Sequence, residues 1–361
     1  MLARHRRRPF AALAGLAVIA AAAFGLAGCS APSAASDDGA PFVALSNSFI
    51  GNSWRQSMVN QFERVAKQAK ADGTISGYKI ANAPGDNSAT NQIAQIKTLL
   101  LQKPDILLID PASPTALTPV IQQACSIGVT VVVFDSASEA PCATVVTNSF
   151  PEWASISTKA VIAGMGGKGN LLISRGVVGS APEAEFYAAQ KKVLAKYPDV
   201  KVVGTVTGFC DSATAQKAVL GVLSSLPKID GVAGCGDGYG IAQAFQTAGR
   251  AIPVLAFEPS GRALRFWKDN RVGSGSIAIM SDPGQVSAGF YTALDILSGR
   301  KVASTVIFPS VEIAEDQRDA WLPNVSQDAI ASWQWTQALV DRQLTADAKG
   351  TAAALPPIPG S

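Results

Sequence analysis

KPDILLIDPAS (103–113) and ACSIGVTVVVFDS (124–136) are matched later in the chain by PKIDGVAGCGDG (227–238) and TAGRAIPVLAFEPS (247–260). Each pair has the same layout: an apolar strand, an acid-bearing loop, a helical stretch, a glycine, and a second apolar strand that ends in Phe plus an acid. Short, continuous Val/Ile/Leu runs read as strands buried on both faces, which is the pattern of parallel sheets. The same alternation continues on both sides. Phe42–Leu45, Ile106–Ile109 and Val129–Phe134 read as strands, and so do Leu171–Ser174, Val200–Thr207, Gly231–Gly234, Val254–Phe257 and Ser276–Ile279. Helical stretches lie between them near Pro114–Ser126, Pro182–Tyr197, Ser212–Leu226 and Tyr239–Gly249. Strands alternating with helices predict an α/β chain whose parallel sheets carry helices on both faces. The long-range duplication predicts two similar lobes rather than a short-period solenoid.

The N-terminus reads as an export signal. Arg4, Arg6, Arg7 and Arg8 form a positive leader, and Ala11 to Phe24 is an apolar run too short and Ala-rich for a membrane span. Leu26-Ala27-Gly28-Cys29 resembles a bacterial lipobox, which implies cleavage before Cys29 and lipid on its sulfur. Arg7-Arg8-Pro9-Phe10 fits a twin-arginine pattern loosely, and the general secretory route ranks first. Residues 1–28 are therefore expected to be a signal peptide. Residues 29–41, small and polar with two prolines, are expected to be a flexible tether.

The leader also explains the charge. The whole chain has 30 Lys and Arg against 27 Asp and Glu, and the four leader arginines account for the excess. A near-neutral mature chain gives no support for nucleic-acid binding. The only histidine is His5, inside the leader. Ser-His-Asp and Cys-His catalysis and His-containing zinc sites are thereby excluded, whereas carboxylate-pair and lysine chemistry are not. With Cys29 assigned to lipid, Cys125, Cys142, Cys210 and Cys235 remain, an even number that suggests two disulfides outside the cytoplasm. Four cysteines allow three pairings. Local topology favours Cys125–Cys142, which brackets one strand, and Cys210–Cys235, at the carboxyl ends of two consecutive strands.

Three separated segments carry a family resemblance: VALSNSFIGNSWRQSMVNQFERVAKQA (43–69), GCGDGYGIAQAFQTAG (234–249) and DPGQVSAGFYTALDILSGRKV (282–302). In that order they resemble the first ligand loop and helix, the second-lobe loop, and the return segment of periplasmic sugar-binding proteins of the ribose, galactose and galactofuranose type. The resemblance covers roughly residues 42 to 325. It implies a type I periplasmic binding fold: two lobes, each a parallel sheet flanked by helices, joined by three hinge crossings near Asn148–Pro151, Met280–Pro283 and Ile307–Ser310. The expected partition is 42–149 plus 283–306 for the first lobe and 150–281 plus 307–325 for the second. The C-terminal extension 326–361 is expected to hold a surface helix over Ala331–Asp341 and a disordered end over Thr351–Ser361.

The resemblance places a ligand between the lobes at the carboxyl ends of the strands. Sugar recognition needs flat apolar faces and groups that take hydroxyls in pairs. Asn47, Phe49, Asn52, Trp54 and Arg55 cluster in the first loop, and a Trp-Arg pair there resembles the galactofuranose-binding branch. Asp110 and Asp135 end strands, although Ser136 stands where the family often carries Arg. In the second lobe Asp237 matches the family's binding Asp, Glu258 stands where sugar binders usually have Asp, and Asp211 and Arg175 follow strand ends. Glu183 is a weaker candidate. Each also has a structural reading: Trp54 and Phe49 as core anchors, the acids as helix caps or turn residues. GMGGKGN (164–170) lacks the ending of a phosphate loop and reads as a turn into the second lobe.

The implied function is a lipid-anchored, extracytoplasmic solute-binding protein. It hands a small polar ligand, a monosaccharide first, to the permease subunits of an ATP-binding-cassette importer, with no enzymatic step, cofactor or metal. A polyol, a nucleoside or an autoinducer-like ligand is the alternative within the same class. A regulator's effector domain would need a helix-turn-helix and no export signal. A secreted carboxylate-dependent hydrolase would need a paired acid and base, and no acid pair stands out in the sequence.

Overall fold

In the computed structural model, residues 39–83, 87–176, 178, 181–351 and 353–360 are described. The leader, Cys29 and most of the tether lie outside them. The strands in chain order are β1 (Phe42–Asn47), β2 (Gly77–Asn82), β3 (Ile106–Asp110), β4 (Thr130–Phe134), β5 (Thr144–Asn148), β6 (Gly169–Arg175), β7 (Val200–Thr207), β8 (Gly231–Ala233), β9 (Val254–Phe257), β10 (Ile277–Met280), β11 (Thr305–Phe308) and β12 (Val311–Ile313). The helices are α1 (Ser53–Ala71), α2 (Ala89–Leu100), α3 (Thr118–Ser126), α4 (Phe150–Gly164), α5 (Ala181–Leu194), α6 (Ser212–Leu223), α7 (Gly238–Thr247), α8 (Gly261–Asp269), α9 (Gln285–Leu297), α10 (Arg318–Trp321) and α11 (Gln337–Ala348).

The strands form two six-stranded sheets, ordered β2-β1-β3-β4-β5-β11 and β7-β6-β8-β9-β10-β12. Every pairing is parallel except the antiparallel β10–β12 edge. The duplicated segments explain the symmetry. Ile106–Asp110 and Val254–Phe257 are buried along their whole length, because helices cover both faces and every side chain must be apolar or bonded. Phe134 and Phe257 end matching strands in the two halves and are fully buried.

The chain passes between the sheets three times: after β5 into α4, after β10 into α9, and from β11 into β12. Asn148 ties these crossings together. Its Nδ2 donates to Phe308 O at 2.6 Å, and its Oδ1 accepts from Asp282 N at 2.9 Å. Hinge strands whose backbone groups leave the sheets need such side-chain partners.

The C-terminal extension differs from the sequence expectation. Residues 331–335 form neither helix nor strand, and α11 starts only at Gln337, capped by Thr336. Trp333 and Trp335 are buried, and the hydrophobic gain of seating two indoles outweighs the modest propensity of this stretch for helix. Ile330 forms an antiparallel bridge with Ser260 beside the second sheet, whereas α11 packs on α9 and β11 of the first. The chain thus crosses between the lobes a fourth time. The end expected to be disordered is also held: Ile358 packs against the core and Asn324 donates to Pro359 O.

Candidate functional site

The carboxyl ends of both sheets face each other across a cleft, and α1 enters it from the first lobe. Asn52 caps α1 by accepting from Arg55 N at 2.8 Å. That cap puts Trp54 and Arg55 in the first turn, on the cleft floor. They face opposite ways. Trp54 lines a chamber of about 370 Å³ that the second lobe completes with Phe209, Asp211, Tyr239 and Glu258. Arg55 lines a chamber of about 680 Å³ near the first hinge, with Ser136, Asn148, Phe150 and Glu185. The guanidinium lies 5.6 Å from the Trp54 ring centroid, so the pair stands as a partition between the chambers. Trp54 Nε1 donates to Ser281 O at 2.9 Å, which ties the first-lobe helix to the second hinge.

The first-lobe acids sit beneath this partition. Asp110 is fully buried and ion-paired with Arg55, which also donates to Asn47 Oδ1 at 3.0 Å. Asn47 in turn donates to Asn82 at 2.8 Å. Burial pushes Asp110 up to about 8, with Arg55 pulling the other way. Asp135 accepts from Gln285 Nε2 at 3.0 Å, and its titration is also raised by burial. It occupies the left-handed region at φ 65°, a conformation that Asp tolerates better than most residues. Asn47, Phe49, Asp110 and Asp135 line neither chamber. Asn52, Trp54 and Arg55 do.

In the second lobe, Glu258 reaches the smaller chamber. It accepts from Ser212 Oγ at 3.0 Å and from Tyr239 N at 3.2 Å, and burial raises it to about 7. Asp211 also lines that chamber while capping α6 through Thr214 N at 2.8 Å. Asp237 does not reach the cavity. It is completely buried, accepts from Ser174 Oγ at 2.5 Å, and is raised to about 7 by burial. Gly208 and Gly234 press against its carboxylate so closely that a Cβ on either would collide with it. In this arrangement Asp237 buttresses the loop after β7. Arg175 is likewise occupied. It grips Glu183 with two bonds of 2.6 and 2.8 Å and lies over Tyr187 at 4.0 Å, and neither Arg175 nor Glu183 lines a chamber.

Several site residues were not singled out from the sequence. Phe209 is half exposed in the smaller chamber and holds φ 59°, with Cys210 beside it at φ 53°. Such strain persists only where the surroundings enforce it. Here the Cys210–Cys235 disulfide, with Cα atoms 5.2 Å apart, pins the loop to the end of β8. Cys125 and Cys142 are joined likewise, with Cα atoms 6.3 Å apart. Tyr239, Gln243 and Arg262 complete the polar wall. An aromatic face beside a carboxylate and amides suits a ring or chain bearing hydroxyls. Among the described residues no cluster of His, Cys, Asp or Glu is arranged to hold a metal, and no helix is long and apolar enough to cross a membrane.

Two parallel-sheet lobes with three hinge crossings and a walled cleft between them define a ligand-capturing protein of the type I binding class. The chain belongs to the periplasmic binding protein domain family, whose model matches residues 43–301. Members of that family bind ligands and do no chemistry on them. The chain is 59% identical to an ABC transporter solute-binding protein from Thermobispora bispora, a crystal structure that it matches with a TM-score of 0.82 over 89% of this chain and all of that one. It is 27% identical over 267 residues to a xylitol-binding protein of Mycolicibacterium smegmatis, covering 71% of this chain and 73% of that protein. It is 25% identical over 272 residues to a ribose import binding protein of Bacillus subtilis, covering 74% and 85%.

Proposed function

We propose that this chain is the extracytoplasmic solute-binding component of an ATP-binding-cassette importer, and that it captures a small polyhydroxylated ligand, a pentose or the corresponding polyol, between its lobes. The observation that carries the reading is the smaller chamber, where Trp54 and the strained Phe209 present aromatic surface beside Glu258, Tyr239 and Gln243. Aromatic faces cover C–H surface, while the carboxyl and amide groups take hydroxyls. The resemblance to proteins named for xylitol and ribose supports the same ligand class. Cys29 holds the protein to the membrane as a lipoprotein, and closure of the lobes on ligand presents the surface that the permease subunits accept.

A melting-temperature screen with xylitol, D-ribose and neutral hexoses tests the ligand class. A rise with at least one of them is expected, with no turnover of the compound on prolonged incubation. No rise with any at millimolar concentration would overturn the reading. Cys29→Ser is expected to move the protein from the membrane fraction to the soluble fraction, and an unchanged distribution would remove the anchor.

A further inference from the structure

The segment that crosses between the lobes a fourth time also reaches the cavity. Gln327, Asp328 and Ile330 line the smaller chamber alongside Arg262. The segment runs antiparallel to the start of α8: Arg262 N donates to Gln327 O at 2.9 Å, Gly261 N to Ala329 O at 3.1 Å, and Ala331 N to Pro259 O at 2.8 Å. At its centre Ile330 N donates to Ser57 Oγ on α1, in the other lobe, at 3.0 Å. Beyond it, Trp333 Nε1 donates to Ser310 O at 3.2 Å and Trp335 Nε1 to Asp282 at 2.7 Å. One short stretch therefore touches both lobes, two of the three hinges and the cavity wall, although it lies past the end of the matched family model at residue 301.

We propose that residues 326–335 are a working part of the binding site, a strap that closes one side of the ligand chamber and sets its selectivity through Gln327 and an Arg262 held in place by Asp328. The proposal rests on the ligand-binding reading above. Asp328 is ion-paired with Arg262, and Arg262 in turn stands beside Tyr239, whose hydroxyl accepts from Gln243 Nε2 at 3.1 Å. A guanidinium offers a rigid fork of donors suited to adjacent hydroxyls. The pair is exposed, at 47% for Arg262 and 76% for Asp328, so Asp328 orients the guanidinium modestly and does so together with Tyr239. Asp328 thus acts as a positioning residue, with Arg262 and Gln327 as the groups that read the ligand. The fit of strap to helix is close: a Cβ on Gly261 would collide with the backbone oxygen of Ser326.

Calorimetric titration with xylitol and D-ribose tests this on the full mature protein. Arg262→Ala and Gln327→Ala are expected to weaken the better-bound probe by about fivefold, the scale of one lost hydrogen bond, and to change the xylitol-to-ribose preference while leaving the melting temperature unchanged. Asp328→Ala should weaken binding in the wild-type background and add nothing to Arg262→Ala, and Asp328→Glu should restore it. Gly261→Ala, which displaces the strap, should broaden the range of compounds bound. Affinities within about twofold of wild type in all of these variants would overturn the proposal. If neither probe binds the wild type, the pentose reading fails on its own. Amide hydrogen exchange then decides the strap: slow exchange at Arg262, Ile330 and Ala331 supports a built wall, and fast exchange there overturns it.

Discussion

Trp335 Nε1 donates to Asp282 Oδ2 at 2.7 Å, and both side chains are buried where the C-terminal segment meets the second hinge. The other carboxylate oxygen accepts from Gly284 N at 2.7 Å. Burial raises Asp282 to about 6, and these donors pull it back toward the charged form. Trp335→Phe keeps a ring against Phe308, whose centroid lies 4.8 Å away, but removes the donor. Ser332 and the Trp333 backbone also interact with Asp282, so loss of the indole donor alone costs about 0.5–1.5 kcal/mol. Urea unfolding should show a loss of that size, and an unchanged midpoint would mean that water replaces the indole.

The Cys210–Cys235 bridge is expected to matter for affinity as well as stability. It closes a loop of 25 residues, worth about 3 kcal/mol in the chain-entropy model. It also holds Phe209 and Cys210 at positive φ. A Cys210→Ala/Cys235→Ala double variant should melt earlier and bind its sugar more weakly, because the freed loop no longer presents Phe209 to the chamber. Weakened stability with unchanged affinity would show that Phe209 needs no clamp.

The two lobes were legible because buried parallel strands leave continuous apolar runs, as in Ile106–Asp110 and Val254–Phe257, and because each run ends in an acid that marks the cleft side. Which acid reaches the cleft was not legible. Asp237 and Glu258 both follow strand ends, yet Glu258 lines the chamber and Asp237 turns under Gly208 and Gly234. That difference depends on side-chain direction in loops, which spacing does not encode. Phe209 was hidden for the same reason: its exposure follows from a backbone conformation that a disulfide enforces. The strap was missed although Ala331, Trp333 and Trp335 alternate with Ser332 and Gln334 at a strand-like period of two, because one short alternation beyond the two matched lobes does not name the surface it packs on. Only the hinges supply the slots that decide it.

The buried acids of the second lobe make stability fall as pH rises. Asp237 and Glu258 titrate at about 7 in the folded chain, above the ordinary range of about 4 that they have when unfolded. Between those values the folded state binds more protons than the unfolded state, so unfolding becomes easier as pH increases. The ligand-free melting temperature should decline from pH 5 to pH 8, and Glu258→Gln should flatten the slope. A melting temperature that rises over that window would place both groups in contact with a cation.

Arg55 separates a ligand-binding role from a structural one. Its side chain is 13% exposed and paired with an Asp110 that is fully buried. Burial raises Asp110 to about 8, so without Arg55 its carboxyl is protonated near neutral pH and is left as a buried, unpaired polar group, at a cost of about 1–3 kcal/mol. Arg55→Ala should therefore destabilise the ligand-free protein, most at a pH above 8 where Asp110 would ionise without a partner, and Asp110→Asn in that background should recover much of that loss, because an amide stays neutral. Trp54→Ala differs. The indole is half-buried and has one hydrogen bond, to Ser281 O, so the stability change should be smaller and the loss of affinity larger. Denaturation midpoints and titrations on the three variants distinguish these outcomes. If Arg55→Ala keeps wild-type stability but loses affinity, its guanidinium is free for the ligand and the buried pair with Asp110 is not the ground state in solution. If Asp110→Asn fails to rescue, the partition depends on the stacking of Arg55 on Trp54 rather than on charge.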